Sequence, residues 1–97
     1  MNRIEFEKKY LLHNYFWVTG KKQATELQNI LVEFGYVNPL GTTSHIKWHE
    51  GFYNLGTFQP RNHKNTKYFQ KTTPYNPDYS YGKAVNYKQF IKDYLAL

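Results

Sequence analysis

The residues of this 97-residue chain with chemistry to offer are its four His and thirteen Lys/Arg, because it has no Cys and only seven Asp/Glu. The missing thiols exclude a disulfide scaffold and any thiolate zinc site. The acids are scattered singly, with no Asp-x-Asp and no pair closer than Glu5 and Glu7, which argues against metal-dependent hydrolysis. His45 and His49 have a spacing that on a helix would put two ligands on one face. They stand instead in an alternating pattern around Lys47, whose charge opposes a cation, so no metal site is expected. The six glycines form neither GxGxxG nor GxxxxGK, and no cofactor is expected. Gly20-Lys21-Lys22 reads first as a solvated helix start and second as a phosphate site.

Metal-free phosphodiester cleavage is the reaction these residues can support. RNA carries its own nucleophile in the 2′-hydroxyl. The protein must then supply a proton carrier of near-neutral pKa and cations to neutralise the phosphorane. His45 can be that carrier, and the bland alternative is an exposed strand residue. Cations follow in Arg61, His63, Lys64, Lys67 and Lys71, an eleven-residue stretch with no acid. Residues 44–97 hold eight Lys/Arg against Glu50, Asp78 and Asp93, whereas residues 1–43 hold five against four Glu. The net charge of +6 therefore has a location, and it points to RNA or another phosphate-rich ligand. Tyr68, Phe69, Tyr75, Tyr79 and Tyr81 interleave with those lysines and Lys83. Three readings stay open for the rings: they close over a sheet face, stack on bases, or anchor a protein interface.

Elements must position these groups, and the periodicity supplies them. Asn86 can cap a helix with Gln89 reaching back, and Tyr87, Phe90, Ile91, Tyr94 and Leu95 form its apolar stripe. A second helix is expected over residues 21–34, with Thr19 as cap, a stripe of Ala24, Leu27, Ile30, Leu31 and Phe34, and Gly35 as the left-handed terminator. A weaker helix covers residues 2–12, with Asn2 and Glu5 as its capping pair. From residue 45 the period is two, giving a strand that turns at Glu50-Gly51 and returns over 52–58. Residues 15–18 and 36–37 are short strand candidates. Residues 61–83 read as a long loop, with Pro74 and Pro77 opposing regular structure and one strand at 66–71 as an option. The fold class is α+β, a small antiparallel sheet with two main helices on one face in the order α-β-β-β-α. The length allows a single domain over 1–97, divided into an N-terminal extension (1–18), helix and hairpin (19–60), a basic Tyr-rich loop (61–85) and a C-terminal helix (86–97).

The aromatic content of 20% argues against disorder. No run approaches 18 apolar residues and the start lacks a signal-peptide core, so a cytoplasmic protein with no membrane partner is expected.

The segments Glu33-Phe34-Gly35-Tyr36, residues 41–48 (Gly-Thr-Thr-Ser-His-Ile-Lys-Trp) and residues 58–64 (Phe-Gln-Pro-Arg-Asn-His-Lys) together resemble the HicA family of toxin mRNA interferases. In that family a helix ends in a Gly-aromatic pair, a Gly-Ser-His motif opens the next strand, and a Pro-Arg-His-like segment closes the hairpin before a final helix. The resemblance implies a double-stranded-RNA-binding-like fold, His45 as the catalytic residue with Ser44 beside it, and Arg61, His63 and Lys64 near the substrate backbone. It also implies an antitoxin partner. Thr43 stands where the family has Gly, and both the segment before the last helix and the N-terminus are longer. A second function class is a non-enzymatic phage or mobile-element accessory protein that inhibits a host defence protein or sequesters a nucleotide. A third is a module that self-associates, as a homodimer, through the tyrosine loop.

Overall fold

The computed structural model describes residues 1–12, 14–18, 20–38, 40–44, 56–63, 66–72 and 84–97, with the backbone alone at 56–59, 61–63 and 70–72. The chain opens in α1 (Arg3–Phe6), where the Asn2 side chain accepts the Glu5 N–H at 2.8 Å, as the capping pair predicts. The helix then widens into a π turn (Glu7–Leu11), closed by the Leu12 N–H on the Glu7 carbonyl at 3.1 Å. Phe6, Tyr10 and Leu11 are all buried along this segment. The N-terminal segment therefore contributes to the core.

The strand β1 (Phe16–Val18) follows, with Phe16 and Val18 buried and Trp17 half-buried between them. Then comes α2 (Lys21–Glu33), which buries the expected stripe and also Gln28, whose amide donates to the Ala24 carbonyl at 3.2 Å. Thr19 lies outside the described residues; Gly20 occupies the cap position without a side-chain bond. The other end terminates as predicted. Gly35 takes φ +90, its N–H reaches the Val32 carbonyl at 3.0 Å, and the Tyr36 N–H reaches Leu31 at 3.0 Å. These are the two bonds of a Schellman end, which needs a left-handed residue at this position.

The hairpin is β2 (Gly56–His63) with β3 (Thr66–Thr72), and the antiparallel sheet order is β1-β2-β3. Val37 adds a parallel bridge to Tyr68 on the free edge of β3. This arrangement differs from the expected one in two ways. The sheet takes a strand from before α2, and residues 61–63 are strand where a loop was expected. The Asn-, Thr- and Pro-rich text from residue 61 reads as a loop, and the register shows how a strand runs through Pro60 into it. The Phe69 N–H points outward to the Val37 carbonyl at 2.9 Å, so Pro60, opposite Phe69, faces away from β3 with its nitrogen. On that side β1 pairs only with residues 56–58, so the missing N–H breaks no ladder bond. The strand at 66–71 is present. The expected hairpin strand at 45–49 and most of 52–58 lie outside the described residues, as do residues 73–83 of the expected loop.

The last element, α3 (Tyr87–Leu95), starts at Asn86, whose side chain accepts the Gln89 N–H at 3.1 Å. The capping box is only half made. Gln89 donates forward to Asp93 at 2.9 Å and does not reach back. Phe90 is buried, Tyr87, Ile91 and Tyr94 are half-buried, and Leu95 of the expected stripe is 75% exposed. Aromatic rings join the elements: Phe6 lies 5.3 Å from Phe34 and 5.4 Å from Phe90, and Phe90 meets Phe16 edge-on at 4.9 Å. Around them, four tyrosine hydroxyls each donate to a carboxylate on another element: Tyr10 to Asp93, Tyr36 to Glu7, Tyr87 to Glu26 and Tyr94 to Glu33. No described helix is long and apolar enough to cross a membrane.

Candidate nucleic-acid interface

Ser44 closes a loop built by one side chain. Asn38 is buried, and its Oδ1 accepts the N–H groups of Leu40 at 2.9 Å and Thr42 at 3.1 Å. Its Nδ2 donates to Thr42 Oγ1 at 2.7 Å and to the Ser44 carbonyl at 2.9 Å. The Asn38 N–H adds a main-chain bond to the Thr42 carbonyl at 2.9 Å, and Gly41 completes the reversal at φ +80. Asn is suited to this because its short amide can bond backbone on both sides of a turn. Ser44 itself is exposed, and its carbonyl is fixed by the Asn38 amide. His45, the next residue, lies outside the described residues with Lys47, Lys64, Tyr75, Tyr79 and Tyr81. Sequence reading passed over Asn38, although Asn-Pro-x-Gly at 38–41 is a turn signal.

The hairpin sorts the predicted cations by face. Arg61 pairs with Tyr68 and His63 with Thr66, while Trp17 pairs with Thr57 on the neighbouring strand. Because paired residues share a face and the period is two, positions 57, 59, 61 and 63 share one face with Trp17 and Tyr68. Pro60 and Phe69, both buried, belong to the opposite face with Phe16 and Val18. Positions 67 and 71 fall on that second face too. Positions 61, 63 and 68 therefore share one face, and positions 67 and 71 belong to the other.

Lys67 has a different occupation. Its Nζ makes an ion pair with Glu7 at 2.7 Å, sits 5.5 Å from the Tyr36 ring centroid and donates to the Phe34 carbonyl at 3.5 Å. Burial, with the Glu7 charge beside it, pushes the Tyr36 phenol well above the ordinary tyrosine range. The cluster ties the π turn, the end of α2 and β3 together, a contact between distant segments that local pattern could not reveal. A phosphate reaching Lys67 would have to compete with Glu7.

The rest of the charge follows the same logic. Arg3 pairs with Glu33 at 3.4 Å and stacks over Phe34 at 4.2 Å, and Lys9 pairs with Asp93 at 3.6 Å. Three carboxylates, Glu7, Glu33 and Asp93, are thereby engaged in holding elements together. Lys8, Lys21, Lys22, Lys88 and Lys92 are exposed and make no ion pair among the described residues. No group of three metal-ligating side chains gathers among the described residues. No family model, no curated protein and no solved structure matches this chain.

Proposed function

We propose that this chain is a small basic RNA-binding protein of the kind the HicA resemblance implies, acting in the cytoplasm as a metal-independent mRNA endonuclease. In this reading α2 and α3 cover one face of the sheet, and the other face receives RNA. The observation that carries it is the register of the hairpin, which places Arg61 and His63 on one face with Tyr68 and opposite the core positions. A cation position sharing a sheet face with an aromatic suits single-stranded RNA, since phosphates meet the cation and bases stack on the ring. Ser44, held by the Asn38 loop, directly precedes His45 in the chain. His45 takes the proton from the 2′-hydroxyl, whose oxygen bonds the adjacent phosphorus as the bond to the 5′-oxygen breaks; the leaving 5′-oxygen takes a proton from water, and Arg61 with Lys64 neutralises the phosphorane. An antitoxin or host protein would hold such an activity in check.

The test is binding of a labelled, mixed-sequence single-stranded RNA, followed by anisotropy between about 50 and 200 mM salt. Arg61→Ala should weaken binding and reduce the salt slope by about one. Tyr68→Ala should cost about 1–3 kcal/mol with the slope unchanged. Expression alone should arrest growth, and His45→Ala should relieve the arrest. A harmless, salt-insensitive protein that forms a stoichiometric complex with a host protein would instead establish the accessory-inhibitor function.

A further inference from the structure

The helices α2 and α3 run parallel, because Tyr87 near the start of α3 donates to Glu26 at 2.6 Å while Tyr94 near its end donates to Glu33. Tyr87 also approaches the Gln23 carbonyl at 3.5 Å. These bonds fix the separation of the helices at both ends. Between them lies a groove of about 450 Å³ whose lining includes Ile30, Ile91, Tyr94 and Leu95 with Lys22 and Asn29. Leu95 is 75% exposed although it belongs to the apolar stripe of α3, and Ile91 is only half-buried. The groove is preformed and apolar along its α3 wall, so binding there needs little reorganisation.

Its rim is basic. Lys21 and Lys22 start α2, and Lys88 and Lys92 follow each other by one turn on α3 beside Ile91 and Leu95; all four are exposed and without an ion pair among the described residues. The one carboxylate in the lining, Glu26, already accepts the Tyr87 hydroxyl. We propose that this groove docks an acidic amphipathic helix of a partner protein, its apolar stripe on Ile91 and Leu95 and its carboxylates on the four lysines. Charge complementarity selects that occupant. A second copy of this chain would bring its own lysines against these in a twofold contact, which like charges oppose. A nucleic acid would match the rim and leave the apolar wall unused, whereas an amphipathic helix uses both.

The experiment is amide chemical-shift mapping of the full chain with a synthetic helical peptide carrying leucines at i, i+3, i+4 and i+7 and glutamates elsewhere. Beside it run a scrambled peptide of equal composition and a single-stranded RNA. The amphipathic peptide should shift amides of Lys22, Asn29, Ile91 and Leu95 and bind at least about tenfold tighter than the scrambled one. Leu95→Glu, at an exposed site, should weaken binding by about tenfold or more while leaving the spectrum folded. The pair Lys22→Glu with Lys92→Glu should do the same and should admit a lysine-rich version of the peptide, which keeps the test open if Leu95→Glu fails to fold. Equal binding of the scrambled peptide, no shifts up to millimolar peptide, or shifts with RNA but not peptide would each overturn the proposal. So would a mass that rises with concentration and returns to monomer in Leu95→Glu, because the occupant would then be a second copy.

Discussion

Replacing Asn38 by Ala should unfasten the loop that presents Ser44, and the cost can be worked from its bonds. The side chain makes four hydrogen bonds, two as acceptor and two as donor. Their partners at residues 40–44 are exposed, so the freed groups reach water and each bond is worth only its net value, about 0.5 kcal/mol at the low end. The sum is about 2 kcal/mol. In urea, with a slope of about 1–2 kcal/mol per molar for a domain of this size, the midpoint should fall by about 1 M or more. Thr42→Ala removes the Oγ1 that receives Asn38 Nδ2 and the weaker Ser44 N–H at 3.4 Å, so it should cost roughly half as much. Hydrogen exchange distinguishes local from global loss: in Asn38→Ala the amides of Leu40 and Thr42 should lose protection before those of α2. An unchanged midpoint together with unchanged protection at Leu40 and Thr42 would refute the assignment of Asn38 as the organiser of this loop.

Further outcomes follow from the core and the tyrosine latches. Phe6→Ala should cost about 3–5 kcal/mol in equilibrium unfolding, because its fully buried ring lies among Tyr10, Phe34, Phe90 and Tyr94. Tyr36 and Tyr87 are held well above the usual tyrosine range, mainly by burial and then by Glu7 and Glu26 respectively. Their folded pKa values exceed the unfolded one, so their stabilisation is complete below about pH 10 and declines as pH rises, by up to about 1.4 kcal/mol per unit for each. Their tyrosinate absorbance should therefore appear together with unfolding and not before it. Asp93 shows the opposite sign: the Tyr10 hydroxyl chiefly holds its carboxyl below the usual range, so its contribution is present above about pH 4 and lost as pH falls further. Tyr10→Phe should raise the Asp93 pKa in an NMR titration.

Local chemistry made much of this fold legible. Asn2, Gly35 and Asn86 mark three helix boundaries because capping is decided within one turn of chain. The short strand candidate at residues 15–18 and the optional strand at 66–71 are both present. The strand over residues 61–63 was not legible, since whether Pro60 breaks a ladder depends on which neighbour strand its nitrogen faces, and that is a property of the sheet. The same limit hid the tyrosine–carboxylate bonds and the Lys67–Glu7 pair, whose partners come from separate elements. Composition placed the positive charge correctly in the second half of the chain but could not divide Arg61 and His63 from Lys67 and Lys71 by face. The N-terminal segment stood as an extension beside the family pattern, with its role open, and Phe6, Tyr10 and Leu11 are core residues.

The most direct test of the RNA reading is to incubate purified protein with end-labelled mixed-sequence RNA in EDTA, wild type beside His45→Ala and Arg61→Ala. Cleavage by wild type, its loss in folded His45→Ala, and weakened RNA capture in Arg61→Ala are the predicted results. Intact RNA with wild type and no salt-dependent capture, in protein shown to be folded, would contradict the account.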